Sequence, residues 1–136
     1  MREIFFRGKD RMGGEWVYGD LYQERHSDGR IRTTIVQPLS VYNVDPDTVG
    51  QYTGVVDTNG KQIYEGDIVG YTDRSTGKTS VFGVVRWSRE GCFYINTDSI
   101  HNYNTENSGA NLGHMMPSHR SLTIIGNIHD NPEMIK

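Results

Sequence analysis

The chain is short of most things that would fix a function. It has one cysteine, Cys92, in 136 residues, so no disulfide can form within it and no cysteine pair is available for a zinc knuckle. Its four prolines and 35% hydrophobic content, with 16 glycines and eight tyrosines, suit a compact, turn-rich β-protein better than a helical bundle or a disordered tail. No run approaches the about 20 apolar residues of a membrane span. The opening MREIFFRGKD also lacks the apolar stretch of a secretory signal, which makes the cytoplasm the expected address and a membrane partner unexpected. Charge of one sign is missing too. The net charge is −3, with a similar small acidic excess on either side of residue 50, so bulk attraction to phosphate is absent and nucleic-acid binding would need a local basic patch.

Helical periodicity is nearly absent, because Gly, Asn, Asp or Ser interrupts each apolar run before two helical turns could form. Alternation of period two is abundant, and with 16 glycines and eight tyrosines it points to a turn-rich, all-β domain, a small barrel or a sandwich. In EWVYGDLY, Trp16, Tyr18 and Tyr22 fall on one strand face, with Val17 and Leu21 on the other. Asp28-Gly29 then supplies a tight hairpin, so residues 3–37 read as a meander. PLSVYNVDPDTVG (38–50) reads as a connector, because Asp45-Pro46 disfavours helix and opens a turn. These pieces form a first segment, 1–50. The second, 51–136, carries strand-like runs near 67–73, 80–87, 92–97 and 121–128, and a closing turn in which Asn131 caps and Pro132 takes the first helical position. Residues 98–119, rich in Asn and Gly, form a polar insertion expected to be a mobile loop.

The stretch QYTGVVDTNGKQIYEGDIVGY (51–71) poses a choice between a carboxylate pair and a bend. Asn59-Gly60 tolerates left-handed geometry and suits a tight turn. Gly66 can adopt a conformation closed to other residues, and the Asp67 carboxylate can tie down main-chain N–H groups where the next strand begins. Gly19-Asp20 repeats that step with no second acid nearby, so a bend explains both occurrences and an acid/base pair of Glu65 and Asp67 explains only one. Gly126-Asn127 is read as a further structural turn.

REIFFR at the start, WVYGDL (16–21), DPDTVGQYTGVVDTNGKQIYEGDIV (45–69) and IIGNIHDNPEMI (124–135) resemble the YopX family of phage, prophage and mobile-element proteins. The resemblance implies a β-rich fold with an SH3-like small barrel, placed here in the C-terminal half with the N-terminal meander packed against it. It also implies self-association as a homo-oligomer in a bacterial cytoplasm. It brings no catalytic residues.

No other motif carries chemistry. STGKTS (75–80) imitates the end of a nucleotide-binding loop, but Thr72 stands where the first glycine is required and a strand follows where a helix is needed. His114 and His119, with His101 and Asp98, lack metal-site spacing, and Cys92 has no nucleophile motif around it. The chain is therefore expected to be non-enzymatic, without cofactor or metal, and to act through binding surfaces. One surface stands out: Trp16, Tyr18 and Tyr22 with Arg25, Arg30 and Arg32 could stack and neutralise a single-stranded nucleic acid, or could instead bury their rings in an interface.

Overall fold

The computed structural model describes residues 1–96, 110–111 and 122–135, and the readings of His101, His114, His119 and Asp98 lie outside them. The described chain is all-β, built of antiparallel strands with one 3-10 turn, Pro132–Ile135. Among the described residues no helix is long and apolar enough to cross a membrane. The chain divides into two compact units after Gly54, a little beyond the expected boundary at residue 50.

In the first unit, β1 (Phe6–Asp10), β2 (Trp16–Arg25), β3 (Ile31–Gln37) and β4 (Ser40–Val56) pair in order. β1 then returns to pair with β4, through Phe6↔Gln51, Arg7↔Gly50 and Asp10↔Val44, so the ladder comes round on itself as a small ring. Each strand of that ring has two partners, which β2 and β4 meet in succession: β2 pairs with β1 through residues 16–19 and with β3 through 20–25, and β4 pairs with β3 through 40–43 before it meets β1. Ile35, Val44 and Tyr52 are its buried apolar side chains.

The expected connector is in fact the body of β4. Proline cannot donate to a ladder and is tolerated only where pairing is interrupted. Here the interruption is real: β4 pairs with β3 through residues 40–43 and then with β1, and the β1 register shifts between Lys9↔Asp45 and Arg7↔Gly50, so Pro46 falls in a bulge outside the ladder. Across the gap, the Thr48 hydroxyl accepts the Lys9 N–H (2.8 Å) and donates to the Asp45 carbonyl (2.6 Å).

Gly19-Asp20 is not a turn either. Both residues lie inside β2, where its pairing passes from β1 (Phe6↔Gly19) to β3 (Asp20↔Val36). Gly19 is needed for space: a Cβ there would run into the Val36 carbonyl oxygen and come within 3.1 Å of Ile35 Cγ2.

In the second unit the end of β4 turns into β5 (Gln62–Tyr64), and β6 (Asp67–Thr72), β7 (Thr79–Trp87), β8 (Phe93–Asn96), β9 (Ala110–Asn111) and β10 (Leu122–Asn127) form a sheet ordered β10-β6-β7-β8-β9. Ile63, Val69, Val85, Ile95 and Leu122 make its core, with Val55, Phe82, Phe93 and Ile124 packed against them. Barrel-like closure is partial here. Thr58 N–H donates to the Leu122 carbonyl (3.0 Å) and Ile124 N–H to Asp57 Oδ2 (3.1 Å), so the turn after β4 covers part of the outer side of β10.

Gly60 (φ +79°) and Gly66 (φ +92°) hold the left-handed conformations their turns require. Asp67 is 1% exposed, and its Oδ2 accepts the Tyr64 N–H at 2.7 Å, main chain tied to side chain at the entry to β6. At the far end of β10 the Asn127 Oδ1 accepts the N–H groups of His129 (3.0 Å) and Asp130 (2.9 Å). Asn131 does not cap the final turn forward. Its Oδ1 reaches back to the Asn127 N–H (3.2 Å) and fills the space beside Gly126, where a Cβ would lie 2.6 Å from it.

Candidate anion-binding cleft

Two hairpin turns and two strands of the first unit bring cations to one place. The β1–β2 turn is set by Asp10, whose Oδ1 accepts the Met12 N–H (3.0 Å) and whose carbonyl accepts the Gly14 N–H (2.8 Å). This turn delivers Arg11 to β4, where its N–H donates to the Asn43 carbonyl (2.9 Å) and its Nε to the Val44 carbonyl (3.3 Å). The β2–β3 turn is closed by Gly29 (φ +89°) and by Asp28, whose Oδ1 accepts the Arg30 N–H (3.0 Å). It carries His26 and Arg30, and the start of β3 carries Arg32.

Arg11, His26, Arg30, Ile31, Arg32, Thr33, Asn43 and Pro46 line a cleft of about 360 Å³. Arg32 Nε donates to Asn43 Oδ1 (3.0 Å), so this guanidinium, like that of Arg11, is oriented through Nε. Arg30 pairs with Asp28, Nε to Oδ2 at 2.6 Å, and both side chains are largely exposed. Among the described residues, neither Arg11 nor Arg32 makes an ion pair. Planar forks with one donor already anchored lose less freedom when the remaining donors bind a bidentate anion such as phosphate.

The structure splits the aromatic face proposed from sequence. Trp16 takes its cations from β1, with the Arg7 guanidinium carbon 4.5 Å and the Lys9 ammonium 5.4 Å from the ring centroid. Arg32 faces Glu24, eight residues further along β2 and about 27 Å from Trp16 at a strand's rise. Tyr18 and Tyr22 are about half exposed on the face shared with Trp16. Tyr22 sits opposite Thr34, one diagonal step from Arg32. Arg25 is exposed at the end of β2, opposite Ile31, and does not line the cleft. Arg11, His26 and Asn43 escaped the sequence reading. The hairpin at 26–30 pointed to His26, but Arg11 reaches Asn43 only through closure of the ring.

Elsewhere the local chemistry is structural. The string resembling a nucleotide loop is the β6–β7 turn: Asp73 accepts the Ser75 N–H (2.8 Å) and hydroxyl (2.7 Å), and Gly77 N–H donates to its carbonyl (2.7 Å). The Ser75 hydroxyl, then the Ser75 amide, hold the Asp73 carboxyl below the usual carboxylate range. Cys92 is half-buried in the β7–β8 turn, its Sγ 3.3 Å from the Ser88 hydroxyl. Among the described residues, no three His, Cys, Asp or Glu side chains come together as a metal site would need.

The fold has a solved counterpart. The crystal structure of protein EF1440 from Enterococcus faecalis is similar over 100% of both chains, with a TM-score of 0.57 and 18% identity. At that identity the likeness concerns the fold alone. No curated protein matches the chain. Residues 5–136 match the family described as YopX protein, nearly the whole length and both units, and the chain therefore belongs to the YopX family.

Proposed function

We propose that this protein is a non-enzymatic binding module, an accessory protein of phage or mobile-element origin, and that the cleft of its N-terminal unit takes a phosphate-bearing ligand. The observation that carries this reading is the convergence of Arg11, Arg30 and Arg32 with His26 on one cleft, in a chain whose net charge is −3. With no global field to attract anions, a local cluster of guanidinium groups is what selects them. Tyr22, 58% exposed beside Arg32, adds a ring on which a base can stack and favours a single-stranded nucleic acid among such ligands. Fluorescence anisotropy with a labelled single-stranded oligonucleotide at low ionic strength tests it. Binding is expected to weaken with salt, and about tenfold or more on Arg32→Ala, the loss of one charged hydrogen-bonding partner. Binding that Arg32→Ala and Tyr22→Ala leave unchanged would sink the assignment to this cleft.

Self-association is a second reading. In this reading a copy meets the ring through an exposed apolar face. The exposed Leu39 (98%) in the β3–β4 turn and Val41 (60%) at the start of β4 give apolar surface for that contact. Light scattering after size exclusion is expected to give a multiple of the chain mass that Leu39→Glu lowers. A monomer at micromolar concentration contradicts it.

A further inference from the structure

We infer that the cleft takes a single terminal phosphate, a phosphomonoester carried on a nucleoside, rather than a run of backbone phosphates. This rests on the phosphate-binding reading above and goes beyond it by naming which phosphate is held. The reason lies in what surrounds the cations. Glu24 faces Arg32 across the β2–β3 ladder, and Asp20 follows on the same face. Asp45 and Asp47 flank Pro46 on the cleft wall, Asp28 holds Arg30, and Asp10 precedes Arg11. A strand of phosphates leaving the cleft along any of these elements meets a carboxylate. The cations form an island, whereas a surface that tracks a backbone needs a continuous cationic groove.

A monoester suits the island better than a diester. At neutral pH it carries close to two negative charges and three strong acceptor oxygens, enough for the forks of Arg11 and Arg32 together. The volume of about 360 Å³ falls at the lower end of the about 300–1,000 Å³ of small-molecule pockets, a space for a nucleotide-sized unit. Beyond the arginines, Ile31 and Pro46 supply an apolar wall, Thr33 and Asn43 supply polar atoms, and Tyr22 stands at the open side of the sheet. That mixture fits a sugar and base better than a phosphorylated peptide side chain.

The test compares two oligonucleotides of one sequence, with and without a 5′-phosphate, and adds adenosine monophosphate, adenosine, inorganic phosphate and a phosphoserine peptide as competitors. The full chain is expected to bind the phosphorylated oligonucleotide about tenfold or more tightly than its 5′-hydroxyl twin, a difference of the size one charged contact supplies. Adenosine monophosphate should compete, and adenosine should not. Arg11→Ala and Arg32→Ala should abolish the difference with far-UV circular dichroism unchanged, since both side chains are exposed, while Arg74→Ala in the second unit should leave it intact. Equal affinity for the twins, lost on Arg32→Ala, would overturn the terminal-phosphate inference and leave the broader reading standing. Inorganic phosphate or the peptide competing as well as the mononucleotide would overturn the nucleoside assignment. Failure of every phosphate ligand to bind would overturn both.

Discussion

Asp57→Ala is expected to unfold the second unit at a far lower temperature than the native residue does. The carboxylate is buried, and it holds three main-chain N–H groups: Asn59 (2.8 Å) and Lys61 (2.9 Å) on Oδ1, and Ile124 (3.1 Å) on Oδ2. The first two shape the turn around Asn59-Gly60, and the third fastens that turn to β10. Hydrogen bonds to a charged group contribute about 1.5–3 kcal/mol each, but water can replace part of what the exposed turn loses, so a total near 3 kcal/mol is the reasonable expectation. For a unit of this size that lowers Tm by about 12 °C or more. Asp57→Asn should fall between, because its amide keeps one acceptor oxygen and turns an NH2 toward one of the donors. Differential scanning calorimetry on the three proteins checks the order. An alanine variant melting within about 3 °C of the parent would show that the turn and β10 are held by other forces.

Gly19→Ala is the second large effect, and its origin is different. Gly19 has no positive φ, so its backbone suits alanine; the obstacle is the Val36 carbonyl oxygen and Ile35 Cγ2 on the facing strand. Backbone cannot swing aside as a side-chain tip can, and β3 is held on its other side by β4, so overpacking of this kind costs about 2–3 kcal/mol. Gly29→Ala is the matched control. There a Cβ meets nothing within 4 Å, and the strain is the left-handed φ of +89° alone, worth about 1–2 kcal/mol. Urea denaturation should rank Gly19→Ala as the more destabilising. The reverse order would mean that β2 and β3 separate easily at this point.

These two glycines also show what the sequence could and could not convey. Asp28-Gly29 and Asn59-Gly60 were legible as turns because their hydrogen bonds close over a few residues. The same dipeptide, Gly-Asp, means a hinge at 66–67 and an uninterrupted strand at 19–20. What separates the two cases is the approach of β3 to Gly19, a contact invisible in the local pattern. β6, β7, β8 and β10 were readable from alternation, whereas β4 was hidden by Asp45-Pro46, which the bulge against β1 absorbs. In the cleft, Arg30 and Arg32 were visible beside a recognisable hairpin. Arg11 joins them only because β1 folds back onto β4, and no periodicity within either segment announces that meeting.

The return of β1 to β4 also orders events in time. The β1–β2, β2–β3 and β3–β4 hairpins join near neighbours, but the seam between Phe6 and Gln51 spans 45 positions (51 − 6). Long spans are entropically dearer to shut and slow to find, although each doubling of length adds only about 0.6 kcal/mol. The hairpins can therefore assemble as a four-stranded ribbon, and the seam shuts last. Arg11 sits at the end of that seam, so the cleft does not exist until the seam has closed.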